Sequence, residues 1–212
     1  MVEIIPAINA ETWDEVVKKI RLVESFADWV HIDVADGTFT QNTLWHNPID
    51  LVGFETKCSV EIHVMEDRPE ERIEAWLHPP VKRIIVHYEV THDFDFVLNE
   101  CRKDGVAVGL SVASHTSWAC LKPYAEKVDL LQILSVHAGL AGQEFERHNL
   151  SKIKHLRAFA PHATIEVDGG IVPGIADDCA RAGADILVSE NYIFSHPSPK
   201  MAMKELQMAS KQ

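Results

Sequence analysis

The sequence lacks the features of a membrane protein or a secreted protein. No stretch approaches the run of about 18 consecutive apolar residues that a membrane span needs. The first residues, MVEIIPAINA, have neither a basic segment nor a long apolar core, so they do not resemble a signal peptide. Four widely spaced cysteines, at positions 58, 101, 120 and 179, form no CxxC pair, which favours reduced thiols over a disulfide framework. We therefore expect a cytoplasmic protein.

Basic residues are scarce. The chain has 20 Lys and Arg against 32 Asp and Glu, which gives a formal net charge of −12. This balance makes nucleic acids and anionic membranes poor partners. A small anionic ligand stays compatible with it, because backbone amides and a metal ion act locally and outweigh distant charge.

Short apolar runs alternate with amphipathic segments along all 212 residues, of which 46% are hydrophobic. The runs are rich in Val and Ile, and several are too short for helices, so they predict β-strands. The predicted strands are Val2–Ile5, Trp29–Asp33, Ser59–His63, Arg83–His87, Val106–Leu110, Leu130–Leu134, Thr164–Val167 and Ile186–Val188.

Apolar residues at helical spacing predict helices between these strands. Glu11–Ser25 and Leu150–Phe159 each carry an apolar stripe. Another helix is predicted to open at Pro69, where the missing N–H costs little, with Ile73, Trp76 and Leu77 as its buried stripe. A further helix is predicted to begin at Pro173 and to end at Gly183, a residue suited to the C-cap position.

Eight strands that alternate with helices indicate parallel βαβ units, which form either a closed barrel or an open, doubly wound sheet. No GxGxxG follows the first strand, which weakens the dinucleotide-binding version of the open sheet. We see no linker, low-complexity tract or strong repeat. The sequence therefore predicts a single-domain (β/α)8 barrel over residues 1–212.

Polar side chains that are hard to bury stand at three predicted strand ends. His31 and Asp33 point to the same face of their strand because side chains alternate, His63 ends the next strand, and Asp168 precedes a Gly-Gly pair. In a barrel these carboxyl ends form the active-site face. Two imidazoles and two carboxylates suit a divalent transition metal, with zinc preferred and iron(II), manganese or cobalt as alternatives. A single His at a strand end is more often a hydrogen-bonding residue, so the prediction depends on convergence of the three ends.

Six segments, in order along the chain, resemble motifs of the ribulose-phosphate 3-epimerase family. HIDVADGTFTQN at 31–42 resembles H-x-D-V-M-D-G-x-F-V-P-N, EIHVM at 61–65 resembles D-V-H-L-M, VHYE at 86–89 resembles F-H-x-E, SVHAGLAGQEF at 135–145 resembles S-V-N-P-G-F-G-G-Q-x-F, IEVDGGI at 165–171 resembles I-x-V-D-G-G-I, and AGADILVSENYIF at 182–194 resembles A-G-A-x-x-x-V-x-G-S-x-I-F. Each motif is weak alone, but the ordered set is specific and covers nearly the whole chain.

The resemblance implies an isomerase that converts D-ribulose 5-phosphate to D-xylulose 5-phosphate in the pentose phosphate pathway. It implies that one metal ion is held by His31, Asp33, His63 and Asp168, and that Asp33 and Asp168 are the acid/base pair. Such a pair can move the carbon-3 proton through an enediolate, whose charge the metal stabilises. A homo-oligomer is expected from the resemblance alone. The implied substrate-binding residues are Ala7, His63, Gly139, Leu140, Ala141, Gly142, Gly169, Gly170, Glu190 and Asn191.

The sequence departs from the family where the resemblance places the substrate phosphate. The G-F-G-G of the family is Gly139-Leu140-Ala141-Gly142 here, and its G-S is Glu190-Asn191. Glycine lets backbone approach a phosphate closely, whereas glutamate adds a negative charge. At ~5 Å and an effective dielectric of ~20, each like-charge pair costs roughly 3 kcal/mol.

Three interpretations stay open at this point. The first is a ketose-phosphate epimerase in which Glu190 turns to solvent and Asn191 donates from its amide. The second is an epimerase of a different or non-phosphorylated ketose. The third is a catalytically degenerate sugar-phosphate-binding barrel, which the intact set of ligating residues argues against, because unused buried charges are costly. A decarboxylase or aldolase-type barrel is disfavoured, since no D-x-K-x-x-D is present and Lys82 precedes its strand.

Overall fold

The computed structural model describes residues 2–139 and 142–211, and its centre is a closed barrel of eight parallel strands in sequential order. The predicted (β/α)8 barrel is confirmed, and the open sheet is excluded by the pairing of the first strand with the eighth. The strands are β1 (Glu3–Ile8), β2 (Trp29–Val34), β3 (Ser59–Val64), β4 (Val81–His87), β5 (Ala107–Val112), β6 (Leu130–Leu134), β7 (Ile165–Asp168) and β8 (Ile186–Ser189).

Helices cover the outside of the barrel. They are α1 (Trp13–Val23), α2 (Phe94–Lys103), α3 (Asn149–Phe159), α4 (Pro173–Ala182), α5 (Asn191–Phe194) and α6 (Pro199–Ala209), with 3-10 turns at Pro48–Leu51, Pro69–Glu71, Ile73–Trp76 and Trp118–Tyr124. The prediction for α4 is confirmed at both ends, because Pro173 lies in the first turn and Gly183 closes the helix with φ 111°. Within the described ranges, no helix is long and apolar enough to cross a membrane.

The helix predicted to open at Pro69 is wrong. The segment forms two short 3-10 turns, separated at Arg72, whose φ of −130° is not helical. Ile73 and Trp76 are buried as predicted, and Leu77 is half-buried. The Pro79-Pro80 pair just beyond disfavours helical backbone at His78 and supplies no N–H groups, so the segment ends there before β4.

Two apolar regions account for most of the core. The larger lies between the strands and the helices, and each strand contributes every second residue to it. The smaller one is inside the barrel and consists of Ile5, Ala7, Ile85, Leu130, Ile186 and Val188. The rest of the barrel interior contains fully buried polar side chains, among them His31, His63 and Glu61. Because buried polar groups cost free energy unless they are paired, these residues mark the functional region.

Candidate functional site

Four side chains from three strands meet at the carboxyl end of the barrel. His31 and Asp33 come from β2, His63 from β3 and Asp168 from β7, and one ligand atom of each lies within 4.8 Å of the others. Asp33 stands opposite His63 in the β2–β3 register, so the strand pairing itself brings these two residues together. The structure therefore places the four predicted metal ligands in one cluster.

The distances inside this cluster are short. His63 Nδ1 lies 3.0 Å from Asp33 Oδ1 and 3.4 Å from Asp168 Oδ2. His31 Nε2 lies 3.3 Å from the same Asp33 oxygen and 3.7 Å from the same Asp168 oxygen. Two nitrogens and two oxygens therefore face one point, a donor set that suits a divalent transition metal.

The buried nitrogen His31 Nε2 tests whether a cation fits this point. It makes no hydrogen bond to any residue in the described ranges, although two carboxylate oxygens lie near it. The other ring nitrogen, Nδ1, lies 2.7 Å from Glu61 Oε1, which can accept its proton. With the proton on Nδ1, the lone pair of Nε2 faces the carboxylates, and a cation between them would satisfy all three groups. The residues present fit a divalent metal ion.

The surroundings of the two aspartates shift their pKa values in opposite directions. Burial raises the pKa of Asp168 to about 7, with a further contribution from the nearby Asp33 charge. Burial also acts on Asp33, but the neighbouring imidazoles of His31 and His63 outweigh it and hold the pKa of Asp33 below its usual range. One carboxyl is therefore ionised at neutral pH while the other can hold a proton, which is the division of roles that an acid/base pair needs.

The pKa values of the two imidazoles are also shifted in opposite directions. Burial, together with the charge of His87, lowers the pKa of His63 to about 4. Burial has the same tendency at His31, yet the carboxylates of Asp168, Asp33 and Glu61 outweigh it and raise the pKa of His31 well above its usual value. His31 thus supplies positive charge to the cluster of carboxylates when no other cation is bound.

A second histidine stands behind His63. His87 Nε2 lies 2.8 Å from His63 Nε2, and His87 Nδ1 lies 3.3 Å from Glu89 Oε2. His87 is the last residue of β4. The structure buries it completely and pairs it with His63, so it acts as a support for that ligand.

A cavity of about 490 Å³ opens above the cluster. Asp33 and Asp168 reach its floor, whereas His31 and His63 are completely buried below. A substrate contact of His63 therefore stays a prediction. The other predicted substrate-binding residues that line the cavity are Ala7, Gly139, Gly142, Gly169, Gly170, Glu190 and Asn191. Leu140 and Ala141 lie outside the described residues.

Residues 169 and 170 line the cavity wall, and close packing explains why both are glycine. Both residues have positive φ, 101° and 67°. A Cβ on Gly169 would lie 2.5 Å from a Val136 methyl, and one on Gly170 would lie 2.4 Å from the backbone nitrogen of Phe145. The loops after β6 and β7 therefore pack so closely that only glycine fits.

Glu190 lines the cavity but is paired. Its Oε1 lies 2.8 Å from Lys19 Nζ on α1, and Lys19 also donates to the carbonyl oxygen of Asn9 at 2.9 Å. The expectation that Glu190 turns to solvent is wrong, because its carboxylate is held by a lysine. Asn191 Oδ1 accepts a hydrogen bond from Ser195 at 2.8 Å, so its Nδ2 is the end that can donate to a ligand.

Sequence reasoning missed three polar residues that contact the cluster or its surroundings. Asn9 Nδ2 donates to Asp33 Oδ2 at 3.5 Å, Glu61 bonds to His31, and Lys19 neutralises Glu190. The alternation of Glu61 with His63 on one strand was a signal that could have indicated the second of these. The other two depend on loop and helix placement.

Comparisons with known proteins identify the family. The model of the "Ribulose-phosphate 3 epimerase family" matches residues 3–194. A ribulose-phosphate 3-epimerase of Chlamydia pneumoniae is 36% identical over 201 residues, covering 90% of this chain and 86% of its own length. The corresponding enzyme of Bacillus subtilis is 28% identical over 213 residues, covering 97% of this chain and 98% of its own.

Solved structures show the same fold at lower identity. A 3-hexulose-6-phosphate synthase has a TM-score of 0.73 at 14% identity, with 98% of this chain and 99% of that chain covered. An orotidine 5′-phosphate decarboxylase from Pyrococcus horikoshii has a TM-score of 0.69 at 15% identity, with 99% of both chains covered. The family match over nearly the whole chain and the relative above 30% identity lead to one conclusion: this chain is a carbohydrate isomerase that belongs to the ribulose-phosphate 3-epimerase family.

Proposed function

We propose that the protein is a metal-dependent 3-epimerase of a ketose phosphate, with D-ribulose 5-phosphate converted to D-xylulose 5-phosphate. One observation carries the proposal: two aspartates from β2 and β7 meet two buried histidines at the floor of the cavity, with their ligand atoms within 4.8 Å. The relatives of Chlamydia pneumoniae and Bacillus subtilis, which are ribulose-phosphate 3-epimerases, support this substrate.

His31, Asp33, His63 and Asp168 would hold the metal, and zinc suits this donor set best, with iron(II), manganese and cobalt as alternatives. A bound divalent cation would supply positive charge that stabilises an enediolate. Glu61 and His87 lie behind the two imidazoles and would keep their ring orientation.

Asp33 and Asp168 would move the proton at carbon 3. The strands that carry them, β2 and β7, are separated in the barrel by β1 and β8, so the carboxylates reach the cavity from different sides. One takes the proton from one face of the sugar, and the other returns a proton to the opposite face. In the metal-free protein the pKa of Asp33 is lowered and the pKa of Asp168 is raised, so the two carboxyl groups differ in proton affinity before a cation binds. In the reverse reaction the roles exchange.

The part of the cavity wall that contains Gly142, Gly169, Gly170 and Asn191 would bind the phosphate. Gly142 and the Gly169-Gly170 pair leave this wall without bulky side chains, and Asn191 offers an amide donor. Lys19 balances the charge of Glu190, which removes much of the repulsion that a phosphate would meet. The wall therefore tolerates a dianion despite its glutamate.

A non-phosphorylated ketose is the second candidate, and Glu190 is the observation that favours it. A carboxylate in the cavity wall can accept hydrogen bonds from sugar hydroxyls. We retain the phosphate as first choice because the carboxylate already has a lysine partner.

The test is NMR detection of solvent deuterium at carbon 3, with the zinc-loaded protein and a panel of phosphorylated and free ketoses. Exchange and conversion with ribulose 5-phosphate are expected. Faster exchange with a free ketose than with its phosphate would select the second candidate. No exchange with any ketose, in a folded and metal-loaded sample, would refute epimerase activity.

A further inference from the structure

A layer of buried polar side chains lies directly beneath the candidate metal site. Glu61 precedes His63 by two positions on β3, and Glu166 precedes Asp168 by two positions on β7. Because alternate side chains share a face, both glutamates point into the barrel one step below the ligands. Both are completely inaccessible to solvent, as is Gln132 on β6. Buried carboxyl groups cost free energy unless they have hydrogen-bond or ion-pair partners.

Glu61 uses both of its carboxylate oxygens. Oε1 lies 2.7 Å from His31 Nδ1, and Oε2 accepts from Arg83 Nε at 2.6 Å and from a second nitrogen of the same guanidinium. The guanidinium also stacks on the ring of Trp29, with 4.5 Å from its central carbon to the ring centroid. Arg83 is thus held from two sides, and its rigid fork fixes the carboxylate that faces His31.

Glu166 lies in the same layer but engages a different residue. Its Oε1 accepts a hydrogen bond from Gln132 at 2.9 Å, and the same oxygen is 3.9 Å from His31 Nδ1, beyond hydrogen-bond distance. Arg83 lies 3.7 Å from its other oxygen. Both glutamates therefore lie near His31, but Glu61 alone of the two bonds to its ring.

We propose that Glu61, fixed by Arg83, is a positioning residue that keeps the proton of His31 on Nδ1 and so presents Nε2 as a metal ligand. The inference rests on the proposed metal site but not on the epimerase reaction. A glutamine at position 61 cannot accept from His31 and from Arg83 at once. Either its amide nitrogen faces the guanidinium, where two donors oppose each other, or it faces His31 and drives the ring proton to Nε2.

The experiment measures zinc affinity by competition with a chelator in wild type, Glu61→Gln and Glu166→Gln. Glu61→Gln is expected to lose about 10- to 100-fold in affinity, which is typical for loss of a ligand's supporting partner. Glu166→Gln replaces the neighbouring carboxyl group and leaves the bond between Glu61 and His31 intact, so its affinity should stay within about threefold of wild type. Equal losses in both variants would mean that any change in the buried polar layer weakens binding, whether or not it touches the bond to His31, and would overturn the proposal.

A second readout reports the ring itself. In zinc-loaded protein with 15N-labelled histidine, the Nδ1 proton of His31 should give a far-downfield signal in wild type and in Glu166→Gln, and the signal should be shifted or lost in Glu61→Gln. If Glu61→Gln does not fold, Glu61→Asp and Arg83→Met replace it. Glu61→Asp, with its shorter side chain, should retain part of the zinc affinity. Arg83→Met should lower the zinc affinity although Arg83 is not a proposed metal ligand.

The outcomes separate this inference from the proposed function. If Glu61→Gln binds zinc as tightly as wild type, the positioning role is overturned and the epimerase proposal stands. The same holds if Arg83→Met and Glu61→Asp are used in its place and both bind zinc as tightly as wild type. Wild-type protein that binds no zinc overturns both the metal site and this inference. Loss of epimerase activity alone bears on neither, because both readouts are independent of turnover.

Discussion

The Lys19–Glu190 ion pair leads to the sharpest prediction about substrate choice. Lys19 Nζ lies 2.8 Å from Glu190 Oε1, and the two side chains are 25% and 19% exposed. Lys19→Met keeps the alkyl chain beside the Phe194 ring, where the ammonium lies 5.1 Å from the centroid, but removes the charge. Glu190 would then carry an unbalanced negative charge in the wall of the cavity.

The size of the effect follows from Coulomb's law. At ~5 Å and an effective dielectric of ~20, a like charge costs a phosphate roughly 3 kcal/mol. Both partners of the pair are partly exposed, so water and salt screen the released charge, and about half of that cost should remain. We expect kcat/KM for ribulose 5-phosphate to fall about tenfold, which corresponds to ~1.4 kcal/mol.

The assay is a coupled kinetic measurement with ribulose 5-phosphate and, separately, with free ribulose. Lys18→Met is the matched control, because Lys18 is the exposed neighbour on the same helix. The double variant Lys19→Met/Glu190→Gln should return close to wild type, since it carries no net charge at the pair. Low ionic strength should enlarge the loss in Lys19→Met.

Three results would refute this reasoning. The first is an unchanged kcat/KM in Lys19→Met. The second is an equal loss with free ribulose, which would show that the pair supports the loop structure and not the phosphate. The third is a double variant as impaired as the single one. Because Lys19 already offsets most of the repulsion, Glu190→Gly combined with Asn191→Ser should raise kcat/KM for ribulose 5-phosphate by less than about tenfold.

Three further predictions concern catalysis, pH and packing. Asp33→Asn and Asp168→Asn should each lower epimerase kcat by about 10²–10⁴-fold with unchanged circular dichroism, and near-native rates in both would rule out the two-aspartate mechanism. The pKa values of Asp168 (about 7), Glu166 (about 8) and His31 are raised in the folded protein, so these groups hold protons that the unfolded chain has already released. The melting temperature of the metal-free protein should therefore fall as pH rises from 6.5 to 8. A rise in melting temperature over this interval would contradict the assignment. Gly170→Ala should destabilise the fold by roughly 2–4 kcal/mol in urea titrations, because its φ is 67° and the new Cβ would meet backbone at 2.4 Å, and an unchanged midpoint would show that the loop can yield.

Local sequence was enough for the strands and for the residues at their ends. The bounds of Leu130–Leu134 agree with the structure, and the other predicted strands differ from it by a few residues at most. Alternation of apolar and polar residues and the turn residues that follow are local signals, and they place His31 and Asp33 on one face at the carboxyl end of β2. The segment after Pro69 shows the limit of such signals, since its apolar spacing was helical but the chain forms two 3-10 turns interrupted at Arg72.

The sequence by itself determined the βα alternation, the carboxylate and imidazole groups at three strand ends, and the departure at Glu190. Only the tertiary structure decided which distant groups meet. Lys19 and Glu190 are 171 positions apart, and Asp33 and Asp168 face one another only because the first strand of the barrel closes on the eighth. Such contacts depend on barrel closure and on the packing of α1, which no local pattern encodes. For that reason the charge of Glu190 could be read from the sequence, while its neutralisation could not.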